Sequence, residues 1–187
     1  MIDFAAAFAQ GLPYNDYLQK YGEEAHRDRW AAMHSKIELT GEQTELLTGF
    51  KRQIKILCMA GAWCGDCVEQ CPILDHFEQA SSVVEVRFVD RDDCGDLKDE
   101  LTICGGARVP VTIFANEDDQ VVSRFGDRSL PKYRQMAKDK LGDSCPTGLI
   151  APDAALTSAV VQAWTDEIER VHWLLRLSPR LREKHGD

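Results

Sequence analysis

The chain has 187 residues, of which 44% are hydrophobic and 28% are charged, and its formal net charge is −9. This length fits one domain with extensions better than two domains, and the acidic balance argues against nucleic acid and anionic membranes as main partners. No stretch reaches the roughly 18 apolar residues of a membrane span, and the first ten residues lack the basic start of a signal peptide. We therefore expect a cytoplasmic protein whose seven cysteines do not form a structural disulfide framework.

Residues 3 to 38 carry apolar side chains at helical spacing, interrupted at Pro13. A packed core face is the simplest interpretation, and a partner surface is the alternative. His26 and His34 lie eight residues apart on a polar face, without a cysteine at ligand spacing. We therefore expect solvated histidines and not metal ligands. The apolar positions are Phe4, Phe8, Tyr14, Tyr17, Leu18, Tyr21, Trp30, Met33 and Ile37.

A capping box predicts the start of the next helix. Thr40 is followed three residues later by Gln43, the pattern in which each side chain bonds to the other residue's backbone amide. We expect this helix to run to about Phe50. The apolar run from Ile54 to Met59 then predicts a buried strand.

Two cysteines three residues apart, Cys64 and Cys67, follow that strand. A Cys-x-x-Cys pair between a strand and a helix is a setting for thiol–disulfide exchange. The pattern is helical from Cys64 onward. Pro72 lies inside this helix and should kink it, because its ring displaces the carbonyl four residues back.

The following segments alternate between strand and helix patterns. The acidic residues of the loop at 90–93 lack the ligand spacing of a calcium loop, which favours a solvated loop. We predict a strand at Val83–Val89, a short helix at Asp96–Cys104, a hairpin of Val109–Phe114 with Val121–Phe125, and a helix capped by Ser129 that runs through Leu141 and is closed by Gly142.

A long final helix is predicted after a loop at 143–152, with Asp153 as its cap. Its apolar residues recur in steps of three and four, which favours a face packed on the rest of the chain. A dimer or client contact is the alternative. The basic segment from Arg170 to Lys184 is expected to be solvated. The apolar stripe consists of Leu156, Val160, Trp164, Ile168, Val171 and Leu175.

The stretch from about residue 41 to 142 closely resembles the thioredoxin family. The run from Trp63 to Cys67 resembles the family's Trp-Cys-Gly-Pro-Cys, and Pro72 sits where the family kinks its active-site helix. Val109-Pro110 resembles the family's apolar residue before a cis-proline, and Gly126 sits where the family has a glycine after its last hairpin. The resemblance covers a little over half of the chain.

This resemblance implies an α/β, thioredoxin-like fold, in which helices flank a central mixed sheet and further helices are added at the N- and C-termini. We accordingly divide the chain into a helical extension at 1–40, a thioredoxin-like domain at 41–142, and a C-terminal helical extension at 143–187 that packs on the domain.

The resemblance also implies a thiol–disulfide oxidoreductase that reduces disulfides of protein substrates. Its electron donor would be a thioredoxin reductase or a thiol pool, and it would need no cofactor or metal. Cys64 falls at the start of a helix, where unpaired amides stabilise an anion, so we expect it to be the attacking thiolate. Cys67 is expected to be shielded, to have the higher pKa and to resolve the mixed disulfide.

Other residues around the cysteine pair are expected to support the active site or to bind the substrate. Trp63, Arg108 and Val109 form the expected substrate-binding surface. The backbone of Val109 would pair with an extended substrate, and Arg108 would favour an anionic thiolate or an acidic substrate, with a plain solvated arginine as the alternative. The expected supporting residues are Trp63, Gly65, Asp66, Pro72, Val109 and Pro110.

Two positions depart from the family pattern. Cys58 stands where the family commonly has a buried aspartate, and Asp66 stands where the family has proline between the cysteines. The carboxylate of Asp66 would either oppose thiolate formation at Cys64 or accept the proton of Cys67. Alternatively, an acid is simply favoured in the first helical turn.

The remaining cysteines admit several interpretations. Cys71 extends the pair in a pattern that partly resembles an iron–sulfur or zinc site, but we favour Cys58 and Cys71 as small buried apolar residues. Cys94 and Cys104 flank a short helix and leave a regulatory disulfide open. Cys145 lies in a loop with prolines and glycines, and we expect an exposed thiol there.

A binding or adaptor module with little redox turnover is the second hypothesis. The missing acid at position 58, the charge at Asp66 and the long unmatched flanks motivate it. In that case the helical extensions would hold a partner.

Overall fold

The computed structural model describes residues 3–141 and 153–186. Its four strands form one mixed sheet in the order β2-β1-β3-β4. β1 pairs in parallel with β2 and antiparallel with β3, and β3 and β4 form an antiparallel hairpin. The strands are β1 (Ile54–Ala60), β2 (Val84–Asp90), β3 (Val111–Ala115) and β4 (Val121–Gly126).

Helices flank this sheet, and further helices stand at both ends of the described chain. This arrangement confirms the predicted fold class. Within the described residues the helices are α1 (Phe4–Gln10), α2 (Tyr14–Tyr21), α3 (Glu24–His34), α4 (Gly41–Thr48), α5 (Gly65–Ala80), α6 (Leu97–Glu100), α7 (Leu130–Leu141), α8 (Asp153–Arg176) and α9 (Pro179–His185).

Local signals in the sequence explain most of these boundaries. The capping box at α4 is present, with the Thr40 hydroxyl accepting from the amide of Gln43 at 3.2 Å. α6 ends at Glu100 and is therefore shorter than the helix predicted at Asp96–Cys104. β3 begins only after Pro110, whose nitrogen has no hydrogen to donate to a ladder.

The sheet lies in the middle of the core. Every residue of β1 except Lys55 is buried, and all of β3 is buried. β2 alternates as predicted, with Val84, Val86 and Phe88 on its buried face. β1 therefore delivers the following loop from the interior of the protein.

The N-terminal helices pack their aromatic side chains on the β2 side of the sheet. The ring of Tyr17 lies 5.6 Å from that of Phe88 and 6.0 Å from that of Trp30, measured between centroids. The buried residues of this region confirm the predicted core face. Leu12 exchanges backbone hydrogen bonds of 2.8 and 2.7 Å with Phe88, so the chain also pairs with the outer edge of β2 at that residue.

The prediction of a solvated His34 is wrong. Its Nε2 lies 2.8 Å from Oδ2 of Asp75, and its ring stacks on that of His76 at 4.1 Å. Both partners lie on α5, more than 40 residues away along the chain. His34 therefore attaches α3 to α5.

The C-terminal helices also pack on the domain. The predicted stripe on α8 is buried from Val160 to Leu175, which confirms the packed face. The basic end is not simply solvated, because Arg180 and Lys184 bind Asp118 at 3.2 and 2.6 Å. These ion pairs hold α9 against the turn between β3 and β4.

Some predictions around α7 change, and others lie outside the described residues. The hydroxyl of Ser129 has no hydrogen-bond partner, so the predicted side-chain cap is absent. Gly142, the loop at 143–152 with Cys145, and the side chain of Asp153 are outside the residues that the structure describes. No helix in the described ranges is long and apolar enough to cross a membrane.

We expect Trp30→Phe to destabilise the protein. Trp30 is fully buried, and its Nε1 donates to the carbonyl of Ala62 at 2.8 Å. Phenylalanine leaves that buried carbonyl without a donor, at a cost of about 1–3 kcal/mol. Urea denaturation measures this loss, with Trp173→Phe as the control. Trp173 is 49% exposed and should change the free energy of unfolding by less than about 0.5 kcal/mol. Equal losses in both variants would contradict the assignment.

Candidate active site

The loop between β1 and α5 places the first cysteine. Cys64 is the N-cap of α5, and its amide donates to the carbonyl of Gly61 at 2.9 Å. A side chain at Gly61 would lie 2.8 Å from the indole of Trp63, so glycine lets that ring lie against the backbone. Trp63 remains 45% exposed, and the guanidinium of Arg91 lies 4.6 Å from its ring centroid.

The two sulfurs differ in their access to solvent. Cys64 is partly exposed, whereas Cys67, one turn further into α5, is fully buried. The amide of Gly61 donates to Sγ of Cys67 at 3.4 Å, and Sγ of Cys64 donates to the carbonyl of Val109 at 3.6 Å. Of the two sulfurs, Cys64 is therefore the one that a group from outside the protein can reach.

The two thiols titrate as a pair. Burial opposes ionisation of Cys67, but the hydrogen bonds from the thiols of Cys64 and Cys71 and from the amide of Gly61 outweigh it and lower the pKa of Cys67 to about 5. The same hydrogen bond with Cys67, together with burial, raises the pKa of the Cys64 thiol. The pair thus loses its first proton readily and its second with difficulty.

This order of ionisation is the reverse of the predicted one. The prediction considered the helix start at Cys64 but not the contact between the two sulfurs. The shared hydrogen bond stabilises the state with one proton, and transfer of that proton from Cys64 to Cys67 moves the charge to the accessible sulfur. The pair can therefore supply a nucleophile at Cys64 while Cys67 holds the proton.

Asp66 binds a partner far along the chain. Its carboxylate accepts a hydrogen bond from the guanidinium of Arg128. The negative charge of Asp66 still raises the pKa of Cys67, although burial opposes that ionisation more strongly. At Cys64, by contrast, the hydrogen bond from the backbone of Asp66 lowers the pKa. The opposing effect of the carboxylate thus acts on Cys67, whereas the prediction placed it at Cys64, and proton acceptance by Asp66 stays a prediction.

The Val109–Pro110 peptide lies beside Cys64 and is cis. Gly126 has a φ of +136°, and a side chain there would clash with the carbonyl of Pro110. Glycine at this position therefore lets the end of β4 approach the segment before β3. Pro72 lies buried inside α5, as its position in the sequence indicates.

Gln70 joins the active-site helix to the rest of the site, and sequence analysis missed it. The side chain is fully buried. Its Nε2 donates to the carbonyl of Asp127 at 2.9 Å, and its Oε1 accepts from Nε1 of Trp164 at 3.1 Å and from the amide of Ser129 at 3.2 Å. Its one sequence signal is a spacing of three residues from Cys67, which places both on neighbouring parts of one helix face.

The carboxylate of Asp127 is a second polar centre that the sequence did not indicate. It is almost fully buried and accepts from Arg108 at 3.3 Å, from Arg128 at 2.8 Å and from the hydroxyl of Tyr133. Burial opposes ionisation, yet the hydrogen bond from Tyr133 and the charge of Arg128 lower the pKa of this carboxyl. Arg108 is therefore bound at the site and is not a plain solvated arginine.

Cys64 opens into a basic groove of about 530 Å³. Trp63, Asp66, Arg108 and Val109 line it together with the cysteine. Residues that sequence analysis did not single out, among them Arg91, Arg128 and Lys140, add positive charge to its walls. Gly65 begins α5 and is exposed, with the guanidinium of Arg29 about 3.7 Å from where its side chain would start. The groove lining thus holds four basic side chains, Arg91, Arg108, Arg128 and Lys140, and two carboxylates, Asp66 and Asp127.

The other described cysteines lie away from the groove surface. Cys58 and Cys71 are buried, as predicted, and their sulfurs lie 3.8 Å apart. Cys94 is partly buried, with its sulfur 3.7 Å from Sδ of Met59, and Cys104 is exposed. Among residues 3–141 and 153–186, no group of three or more His, Cys, Asp or Glu is arranged to hold a metal ion.

Solved structures with a similar fold include a protein of unknown function from Pseudomonas aeruginosa. It is 20% identical with a TM-score of 0.64, and the match covers 89% of this chain and 99% of that chain. An HIV epitope-scaffold is 17% identical with a TM-score of 0.64, covering 88% and 99%. Thioredoxin f2 of Chlamydomonas reinhardtii matches 52% of this chain and 88% of its own at 16% identity, with a TM-score of 0.36. The first two likenesses, at TM-scores of 0.64, concern the fold alone.

No curated protein matches the chain. The model of a protein family described as thioredoxin matches residues 11–140. This match includes α2 and α3, which lie before residue 41, where the resemblance inferred from the motifs begins. Because it covers well over half of the sequence, the chain belongs to the thioredoxin family.

Proposed function

We propose that this protein is a thiol–disulfide oxidoreductase that reduces protein disulfides through Cys64 and Cys67. One observation carries the proposal: a partly exposed sulfur at the start of α5 is hydrogen-bonded to a buried sulfur one turn behind it. This arrangement supplies an accessible nucleophile and a second thiol within reach of it. Both are required for exchange with release of the substrate.

The reaction proceeds in two exchanges. The thiolate of Cys64 attacks one sulfur of the substrate disulfide, which forms a mixed disulfide and releases the other substrate sulfur as a thiolate. Cys67, as thiolate, then attacks Sγ of Cys64, which forms the Cys64–Cys67 disulfide and releases the reduced substrate. Two electrons pass to the substrate, and its two thiolates take up the two protons that the cysteines lose.

The groove provides the proposed substrate surface. Exposed Trp63 offers an apolar contact, and the backbone of Val109 lies next to the attacking sulfur. Arg91, Arg108 and Lys140 in the walls favour substrates with acidic residues beside the disulfide. A thioredoxin reductase or a thiol pool would restore the dithiol by donating two electrons, and we propose the cytoplasm as the compartment, since thiols are kept reduced there.

Replacement of Cys64 tests the proposal directly. We expect Cys64→Ser to lower the rate of insulin-disulfide reduction with dithiothreitol to that of dithiothreitol alone, because serine is a far weaker nucleophile at neutral pH. Cys104→Ser is the matched control, since that thiol is exposed and lies outside the groove. Equal rates for the wild-type protein and Cys64→Ser would overturn the proposal and leave the binding-module hypothesis.

Replacement of Cys67 should stall the reaction halfway. With Cys67→Ser, Cys64 still attacks, but no thiol resolves the mixed disulfide. We therefore expect a mixed disulfide between Cys64 and one chain of insulin, formed by attack on an intact insulin disulfide, seen by mass spectrometry and released by dithiothreitol. The double variant Cys64→Ser/Cys67→Ser should form none. An adduct of equal yield in the double variant would place the attack at another cysteine.

The pH dependence of alkylation tests the coupling between the sulfurs. We expect the rate of Cys64 alkylation by iodoacetamide to rise with pH through a midpoint of about 5, where the pair loses its first proton, and to level off above it. In Cys67→Ala the partner sulfur is gone, and the midpoint should rise toward the ordinary cysteine value of about 8.5. The same midpoint in both proteins would show that the contact between the sulfurs does not set the pKa.

A further inference from the structure

Two further sulfurs continue the line that begins at Cys64. Cys71 lies one turn beyond Cys67 on α5, both thiols are buried, and each affects the pKa of the other. Cys58 on β1 lies with its sulfur 3.8 Å from that of Cys71. The four cysteines, called here the cysteine line, therefore lead from the groove surface at Cys64 into the core at Cys58.

Packing explains why positions 58 and 71 hold small apolar residues. It does not explain why both residues are cysteines that lie next to each other and behind the pair Cys64 and Cys67. Cys58 is 0% exposed and Cys71 is 1% exposed, so neither reaches a substrate. Among the described residues, the sulfur of each lies 3.8 Å from that of the other. Two thiol sulfurs at 3.8 Å need a limited approach to form a disulfide bond of about 2.05 Å.

The helix between Cys67 and Cys71 is adapted to such movement. Pro72 lies directly after Cys71 and has no backbone hydrogen for the carbonyl of Val68, four residues back. One hydrogen bond of the turn that separates the two cysteines is therefore missing. This lowers the cost of bringing their sulfurs together.

We propose that Cys58 and Cys71 form a second redox-active dithiol, which takes over the disulfide of Cys64 and Cys67 by internal exchange. The inference rests on the proposed function, because the substrate is the oxidant. It assigns the sulfurs of positions 58 and 71 a role that the exchange at Cys64 does not require.

The relay consists of two balanced exchanges. Cys71 attacks Sγ of Cys67 in the Cys64–Cys67 disulfide, the Cys67–Cys71 bond forms, and the released Cys64 takes up the proton that Cys71 loses. Cys58 then attacks Sγ of Cys71, the Cys58–Cys71 bond forms, and Cys67 is released with the proton of Cys58. No electron enters or leaves the protein during these steps, and the surface pair is again a dithiol.

Two consequences follow for the reaction. The fully reduced chain would hold four electrons and would reduce two substrate disulfides before it needs its electron donor. The relay should be slower than exchange at the surface, because burial, followed by the contacts with Cys58 and Cys67, raises the pKa of the Cys71 thiol.

The test counts thiols in a background that retains only the four cysteines of the line. In this background Cys94, Cys104 and Cys145 are replaced by serine. The reduced protein is incubated with oxidised glutathione, denatured and labelled with N-ethylmaleimide, and the labels are counted by intact mass. We expect the count to fall from four to two and then, more slowly, to zero, without bound glutathione.

The outcomes separate the two proposals. A count that stops at two would overturn the relay and leave the proposed oxidoreductase function intact. A count that stays at four would overturn both. Because the background carries all four sulfurs, this measurement does not depend on whether core variants fold.

Two variants in the same background test whether oxidation reaches the buried pair through the surface pair. In Cys58→Ala the number of labels should fall from three to one, because Cys71 no longer has Cys58 as a partner for the second disulfide. Cys64→Ser/Cys67→Ser should keep both of its labels over the same period, because the buried pair is reached through the surface pair. Loss of those labels at the rate seen in the background would show that oxidised glutathione reaches the buried thiols directly and would overturn the relay.

Discussion

Two buried indole groups hold the segment that carries the reactive sulfurs, and the geometry of the site depends on them. Trp30 of α3 donates to the carbonyl of Ala62, two residues before Cys64, and Trp164 of α8 donates to the side chain of Gln70, three residues after Cys67. One donor comes from the N-terminal helices and the other from the C-terminal helices. The terminal helices are therefore structural parts of the site.

Ion pairs between residues that are far apart in the sequence set the charge around the two sulfurs. Arg128 binds both Asp66 and Asp127, and Arg108 binds Asp127 as well. These contacts place guanidinium groups against both carboxylates, although the charge of Asp66 still raises the pKa of Cys67. The low pKa of Cys67 depends in addition on hydrogen bonds from neighbouring thiols and from Gly61. Electrostatics and sulfur contacts thus act together on one pair.

The sequence was informative wherever a signal is local. The run Ile54–Met59 followed by Trp63 to Cys67 predicted the strand, the turn and the helix start, because each depends on neighbouring residues. Contacts between distant residues were missed. His34 meets Asp75 and Asp66 meets Arg128 across 41 and 62 positions, and no spacing rule relates such pairs. The prediction of which cysteine ionises first was wrong for a related reason, since the order depends on the contact between the two sulfurs.

The backbone pairing of Leu12 with Phe88 has a consequence for the exposed edge of the sheet. An uncovered sheet edge offers unpaired amide and carbonyl groups to any extended chain. A protein that handles other chains in extended form would risk capturing them there as an additional strand. Leu12 occupies ladder positions at the outer edge of β2 with residues of the same molecule. The backbone groups of Phe88 at this edge are therefore already paired and are closed to a strand from another molecule.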